Sequence, residues 1–94
     1  MNVIQYTHNH YINIAEELAR KMTESRKSFW EIVHREFSRK NISKPELRQV
    51  VYIGLKHIGY CWKKLLPYFN IQESDYKKFM NFLNKQGITL SCFK

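Results

Sequence analysis

Three polar residues, Asn13, Ser28 and Ser43, each stand three places ahead of a glutamate, namely Glu16, Glu31 and Glu46. At this spacing the short side chain accepts from the N–H of the third helical residue, while the glutamate reaches back to the N–H of the capping residue. Two free donors at a helix start are thereby satisfied together. Behind each pair the apolar residues recur at intervals of three and four: Ala15, Leu18, Ala19 and Met22, then Phe29, Trp30, Val33 and Phe37, then Leu47, Val50, Val51, Gly54 and Ile58. That period belongs to one face of an α-helix. The first helix is predicted over 14–24, the second from Ser28 onward and the third up to Ile58. His34, Arg35, Arg39 and Lys40 lie on the other side of the second helix, which is therefore amphipathic, with Trp30 and the phenylalanines in the core. Val50 to Ile53 is rich in β-branched residues, yet the capping box ahead of it and the spacing through Ile58 favour helix. Pro45 falls in a first turn, where a missing N–H costs nothing, and Gly59 supplies a left-handed stop. Gly54 removes a side chain from the apolar face and admits a close neighbour, either from the same chain or from a second copy.

The remaining stretch, 62–86, has the spacing of two short helices meeting at a tight corner, predicted over 60–69 and 72–86. Leu65, Phe69, Ile71, Tyr76 and Phe79 close a wedge of core, and Asn70 stands at the corner, where a left-handed backbone is tolerated by Asn better than by most residues. With that wedge buried, Gln72, Glu73, Ser74, Lys77, Lys78 and Asn81 face outward, and Gly87 ends the helix. Lys63, Lys64 and Lys85 add ammonium groups to the same unit. Such lysines meet phosphates, whereas Gln72, Ser74 and Asn81 can address base edges. Glu73 and Asp75 suit a helix N-terminus electrostatically. Leu66 stands where helix-turn-helix units usually keep a small residue, and Pro67 removes an N–H that would bond the carbonyl of Lys63.

At 94 residues the chain is one domain, and a composition that is 44% hydrophobic and 26% charged with few Gly and Pro is that of a folded protein. Net charge is +8 and the pI about 9.7, an electrostatic preference for anionic partners. Cys61 and Cys92 form no metal or disulfide pattern, and a reducing cytoplasm is the simplest setting. Cys61 reads as a small buried hydrophobe, and Tyr60, Trp62, Tyr68 and Tyr76 as core. No apolar run approaches the ~20 residues that span a bilayer, and the first residues lack the pattern of a signal peptide. Residues 1–12 read as a loose arm and 89–94 as a tail. His8 and His10 in the arm have no third ligand at a metal-site spacing. Phosphate-cradling loops, H-E-x-x-H and G-x-S-x-G are missing, and His34 and His57 sit in helical patterns, so neither an enzyme nor a cofactor is expected. The expected fold is all-α, with four to five helices over 13–88 ending in a helix-turn-helix at 60–87.

The segments KSFWEIVHREFSRKNISKPELRQVV, IGLKHIGYCWKKLLPYFNI and SDYKKFMNFLNKQGI, above all SFWE, DYKKF and NFL, resemble the Fis-type DNA-binding domain found at the C-terminus of NtrC-type, enhancer-binding transcription regulators. The resemblance runs from Ala19 to Ile88. It implies a homodimer paired through Phe29, Trp30, Val33, Phe37, Leu47, Val50, Val51, Gly54 and Ile58, each copy presenting Gln72 to Asn81 to a major groove of a palindromic duplex. It also implies an upstream ATPase domain, none of which is in this sequence, so the chain is expected to be a fragment of a larger regulator, with a stand-alone binder as the alternative. The rival expectation is a protein-interaction or oligomerisation module whose basic face docks an acidic partner.

Overall fold

The structure is a computed structural model and describes residues 4–89, with side chains from residue 14 onward. Helix α1 spans Ile4–Ser25; α2 opens as a π-helix over Trp30–His34 and continues as α-helix over Arg35–Ser38; α3 spans Lys44–His57, α4 Trp62–Tyr68, and α5 Tyr76–Lys85 behind a 3-10 turn, Glu73–Asp75. The described residues contain no strand, so the domain is all-α as expected.

Two of the three capping boxes form. At the head of α3, Glu46 accepts from the backbone N–H and the hydroxyl of Ser43, the latter at 3.0 Å, and Glu46 itself is only 6% exposed. At the head of α2, Ser28 and Glu31 exchange bonds of 3.3 Å in both directions. Asn13 does not cap: α1 begins at Ile4 and runs through it, so the expected loose arm is helical from Ile4 onward. Once the buried stripe Ala15, Leu18, Ala19 and Met22 anchors a helix, adding turns ahead of it needs only propagation. No Gly or Pro precedes Pro45 to stop it. Residues 1–3, the side chains of His8 and His10, and the tail beyond residue 89 lie outside the described residues.

In α2 the regular α-helical spacing predicted for Phe29 to Phe37 is replaced by the wider π turn. More residues per turn means a smaller angle between consecutive side chains. Phe29, just ahead of the π turn, keeps ordinary α-helical angles (φ −52, ψ −39), and its ring lies 5.5 Å from that of Trp30, the first residue of that turn.

Four helices stop in the same manner, a left-handed residue followed by an N–H that reaches back five residues. After α2 these are Lys40 (φ 62) and Asn41 to Glu36; after α3, Gly59 (φ 77) and Tyr60 to Leu55; after α4, Asn70 (φ 56) and Ile71 to Leu66; after α5, Gly87 (φ 75) and Ile88 to Leu83. Ile71 and Ile88 are buried, so the last two stops also fold the chain back onto the core.

The apolar face of α3 lies between α1 and α4. A Cβ on Gly54 would come within 2.6 Å of Leu65 and 2.7 Å of Phe69, both fully buried. The close neighbour admitted by Gly54 is therefore α4 of the same chain. The corner after α4 is tied to the loop between α1 and α2: the Asn70 amide donates to the carbonyls of Met22 (2.9 Å) and Lys27 (3.0 Å), and the Phe29 N–H donates to the Phe69 carbonyl (2.9 Å).

Asn70→Ala, which loses both side-chain bonds and strains a left-handed residue, is expected to destabilise the domain by about 2–3 kcal/mol, and Asn70→Gly, which keeps the backbone freedom, by about half of that. Gly54→Ala gains helix propensity but overpacks against Leu65 and Phe69, which the surrounding core holds in place, for a net loss of about 1–2 kcal/mol. Denaturant unfolding of the three variants measures both effects; a Gly54→Ala chain as stable as the parent would refute the close α3–α4 packing.

Candidate nucleic-acid interface

The wedge predicted to hold the last two helices is present. Leu65, Phe69 and Phe79 are fully buried, Ile71 nearly so, and Tyr76 is half-buried; Leu66, at 3% exposure, joins them. The seven residues of α4 end just past Pro67, whose ring faces solvent. Because α4 is short, α5 takes its seat from α2. Phe79 meets Phe29 at 5.1 Å and Trp30 at 6.2 Å, while Phe82 packs against His34 at 4.8 Å and Phe37 at 5.7 Å, so α5 advances along α2 in the same sense. Edge-to-face contacts of this kind fix ring orientation as well as burying area.

All nine residues predicted to meet nucleic acid are exposed: Lys63 and Lys64 on α4, Gln72, Glu73 and Ser74 ahead of α5, and Lys77, Lys78, Asn81 and Lys85 along it. Their arrangement differs from the expected single helix over 72–86. Gln72 is extended (φ −68, ψ 145), Glu73 and Ser74 belong to the 3-10 turn, and only from Tyr76 is the chain α-helical. Ser74 and Asp75 are of the types that favour caps and turns over a helix interior, and here the chain makes a 3-10 turn before the α-helix begins. Gln72 and Ser74 thus precede the helical stripe formed by Lys77, Lys78, Asn81 and Lys85. Asn84, exposed and three residues after Asn81, lies on that stripe and was legible from the spacing alone.

Among the described residues the only ion pair is Arg20–Glu24, at 4.0 Å, so none of the five lysines is neutralised by a carboxylate. Lys78 has a partner of another kind, its ammonium lying 4.6 Å from the centre of the Trp30 ring. It is held at the α2 side of the stripe and is still exposed. Where α4 meets the 3-10 turn there is a cavity of 510 Å³ lined by Lys63, Leu66, Pro67, Ile71, Glu73 and Tyr76.

The residues assigned to pairing are placed differently from the expectation. Phe29, Val33, Leu47, Val50 and Val51 are fully buried in the core of one chain, Gly54 is buried against α4, and only Trp30, Phe37 and Ile58 keep partial exposure. Most of the stripe is therefore spent inside the subunit, and the part of it that still meets solvent is Trp30, Phe37 and Ile58. Cys61, expected in the core, is exposed at the head of α4; Tyr60 is 37% exposed, and Trp62, Tyr68 and Tyr76 are half-buried. Gly59 and the left-handed Tyr60 carry the chain outward between α3 and α4, which removes both Tyr60 and Cys61 from the apolar face. His57 bonds the carbonyl of Ile53 at 3.1 Å and stacks on Tyr68, whose hydroxyl titrates above its ordinary range because of burial. No group of three or more His, Cys, Asp or Glu gathers among the described residues, and no described helix is long and apolar enough to cross a membrane.

His34 packs between Trp30 and Phe82, with Nδ1 3.4 Å from the Ser38 hydroxyl. Burial, and secondarily the charge of Lys78, hold its imidazole below the ordinary value of 6.5. The folded chain therefore binds this proton less readily than the unfolded chain, and stability is lost as pH falls from about 6.5 through the lowered value. An NMR titration is expected to place the His34 midpoint below 6.5, and Lys78→Gln to raise it partway. A midpoint unaffected by Lys78→Gln would separate the two groups.

No protein-family model, curated protein or solved structure matches this chain.

Proposed function

We propose that the chain binds duplex DNA through α4, the 3-10 turn and α5, as the sequence-reading part of a transcription regulator. The observation that carries this reading is the α5 stripe. Lys77, Lys78, Asn81 and Lys85 are all exposed on a helix whose opposite side is held by Phe79, Phe82 and Leu83. A rigid helix with unpaired ammonium groups around free amides matches what a major groove requires: cations for the phosphates and hydrogen-bonding groups for base edges. Gln72, Ser74 and Asn81 make no side-chain hydrogen bond among the described residues, so their polar groups are available. The resemblance to Fis-type domains in the segments around SFWE, DYKKF and NFL points the same way.

The proposal is made for a single subunit, since most of the residues implied for pairing are interior and only Trp30, Phe37 and Ile58 keep partial exposure. The rival, an acidic protein docking on the basic face, is less well supported. A protein interface is built around exposed aromatic and apolar anchors, and Tyr60 is the one large hydrophobic side chain exposed among the described residues.

Titration of the chain with duplex across a salt series tests the proposal. With roughly six phosphates neutralised, log affinity is expected to fall against log salt with a slope of about −5. Lys77→Ala and Lys78→Ala are expected to lower affinity for every sequence, and Asn81→Ala to relax sequence preference instead. Salt-independent binding, or retention of acidic protein without duplex, would reject the proposal.

A further inference from the structure

The densest concentration of unpaired cations lies outside α4 and α5, at the corner joining α2 to α3. Arg35 and Arg39 stand one turn apart near the end of α2, Lys44 and Arg48 one turn apart at the start of α3, and Lys40 occupies the left-handed residue between them. All five are exposed, and none has an acidic partner among the described residues. The carboxylates of this region are turned to local hydrogen bonds. Glu36 accepts from the Asn41 amide at 3.1 Å, Glu46 is buried in its capping box, and Glu31 accepts from Ser28. Like charges one helical turn apart, about 5–6 Å between Cβ atoms, repel each other and weaken a helix. Two such pairs flanking one tip, with the available acids withdrawn, make a surface complementary to a chain of phosphates.

A cavity of 570 Å³ at the tip is lined by Phe37, Ser38, Lys40, Asn41, Ile42, Ser43 and Glu46, so Lys40 shares it with hydrogen-bonding groups, a capping carboxylate and two apolar side chains, while the other four cations stand outside it. Phe37 is the one large hydrophobe with partial exposure there and the five fully exposed cations outnumber it, which sets the surface apart from one built for a protein partner or for membrane insertion. Because α5 advances along α2, with Phe82 reaching Phe37, Lys85 lies a further turn toward the corner.

We propose that the α2–α3 corner is a second phosphate-contacting surface, carrying sequence-independent affinity for the duplex whose sequence α5 reads. The inference rests on the duplex-binding reading above and adds a contact that the last two helices do not supply. It is tested with four forms of the full chain: the parent, R39Q/K44Q/R48Q, R39K/R48K and K77Q/K78Q. Anisotropy of a random-sequence duplex is measured between roughly 50 and 200 mM salt, where each lost phosphate contact reduces the slope by about 0.9. The corner variant is expected to lose about 3 from the slope with its circular dichroism unchanged, and R39K/R48K to keep the parent slope. Parent-like binding by R39Q/K44Q/R48Q would overturn the corner while leaving the α5 reading intact. Loss confined to the corner variant would uphold the corner and remove α5 as a phosphate contact. Absence of duplex binding by the parent, or binding to anionic vesicles alone, would overturn both.

Discussion

The fold depends on the tie between the corner after α4 and the loop before α2. Phe29 donates its N–H to the Phe69 carbonyl, and its ring stacks on Phe69 at 5.6 Å, so one residue joins the two halves through backbone and side chain together. Asn70 closes the same junction with two bonds to the Met22 and Lys27 carbonyls. Those carbonyls stand at and just past the end of α1, where the last turn of a helix leaves acceptors without partners. The side chain that permits the left-handed corner is thus also the one that completes the end of a helix far away in sequence. Removing it would leave two acceptors unmet and loosen the seat of everything that follows residue 70.

That tie explains how a truncated α4 can precede a well-placed α5. In a two-helix unit the second helix usually takes its angle from the first, and the first here has only seven residues, with Pro67 removing one N–H from its ladder. The angle is supplied from elsewhere. Phe29, just ahead of the π turn of α2, and Trp30 and His34 within it, together with Phe37, grip Phe79 and Phe82. A wide turn in a helix is costly to keep, and such turns concentrate where a side chain must be aimed. Here it aims the socket that holds α5, and Lys78 over Trp30 extends the grip to the edge of the exposed stripe.

Much of the helical architecture could be read from local chemistry. Ser43 with Glu46, Pro45 behind them and Gly59 at the end act within one or two turns, so α3 was legible from its residues. Asn70 and Gly87 were legible for the same reason. What escaped was set by distant partners. The π turn answers to rings on α5, which the spacing inside α2 does not reveal. The start of α1 is decided by the absence of a breaker, so the capping potential of Asn13 goes unused. The destination of the α3 stripe was ambiguous because Gly54 suits a close approach by any helix, and only the positions of Leu65 and Phe69 assign it to α4. In the candidate site, exposure followed from the amphipathic pattern, whereas the 3-10 turn did not, since Glu73, Ser74 and Asp75 suit the first turn of either helix type.

The placement of the acids decides how a net charge of +8 is expressed. Glu31, Glu36 and Glu46 are engaged in caps and turns, and Glu73 and Asp75 sit in the turn at the head of α5, where negative charge favours the helix dipole. Carboxylates used in this way contribute to local structure and leave neighbouring cations uncompensated. The resulting repulsion opposes folding, and the interior must outweigh it. Fully buried Phe29, Phe69 and Phe79 supply burial of the order of 2–3 kcal/mol each, more than an exposed like-charge pair costs. A polyanion laid across the cations, as in the proposed duplex complex, would relieve the repulsion, so the same arrangement that weakens the free chain would add to the affinity of that complex.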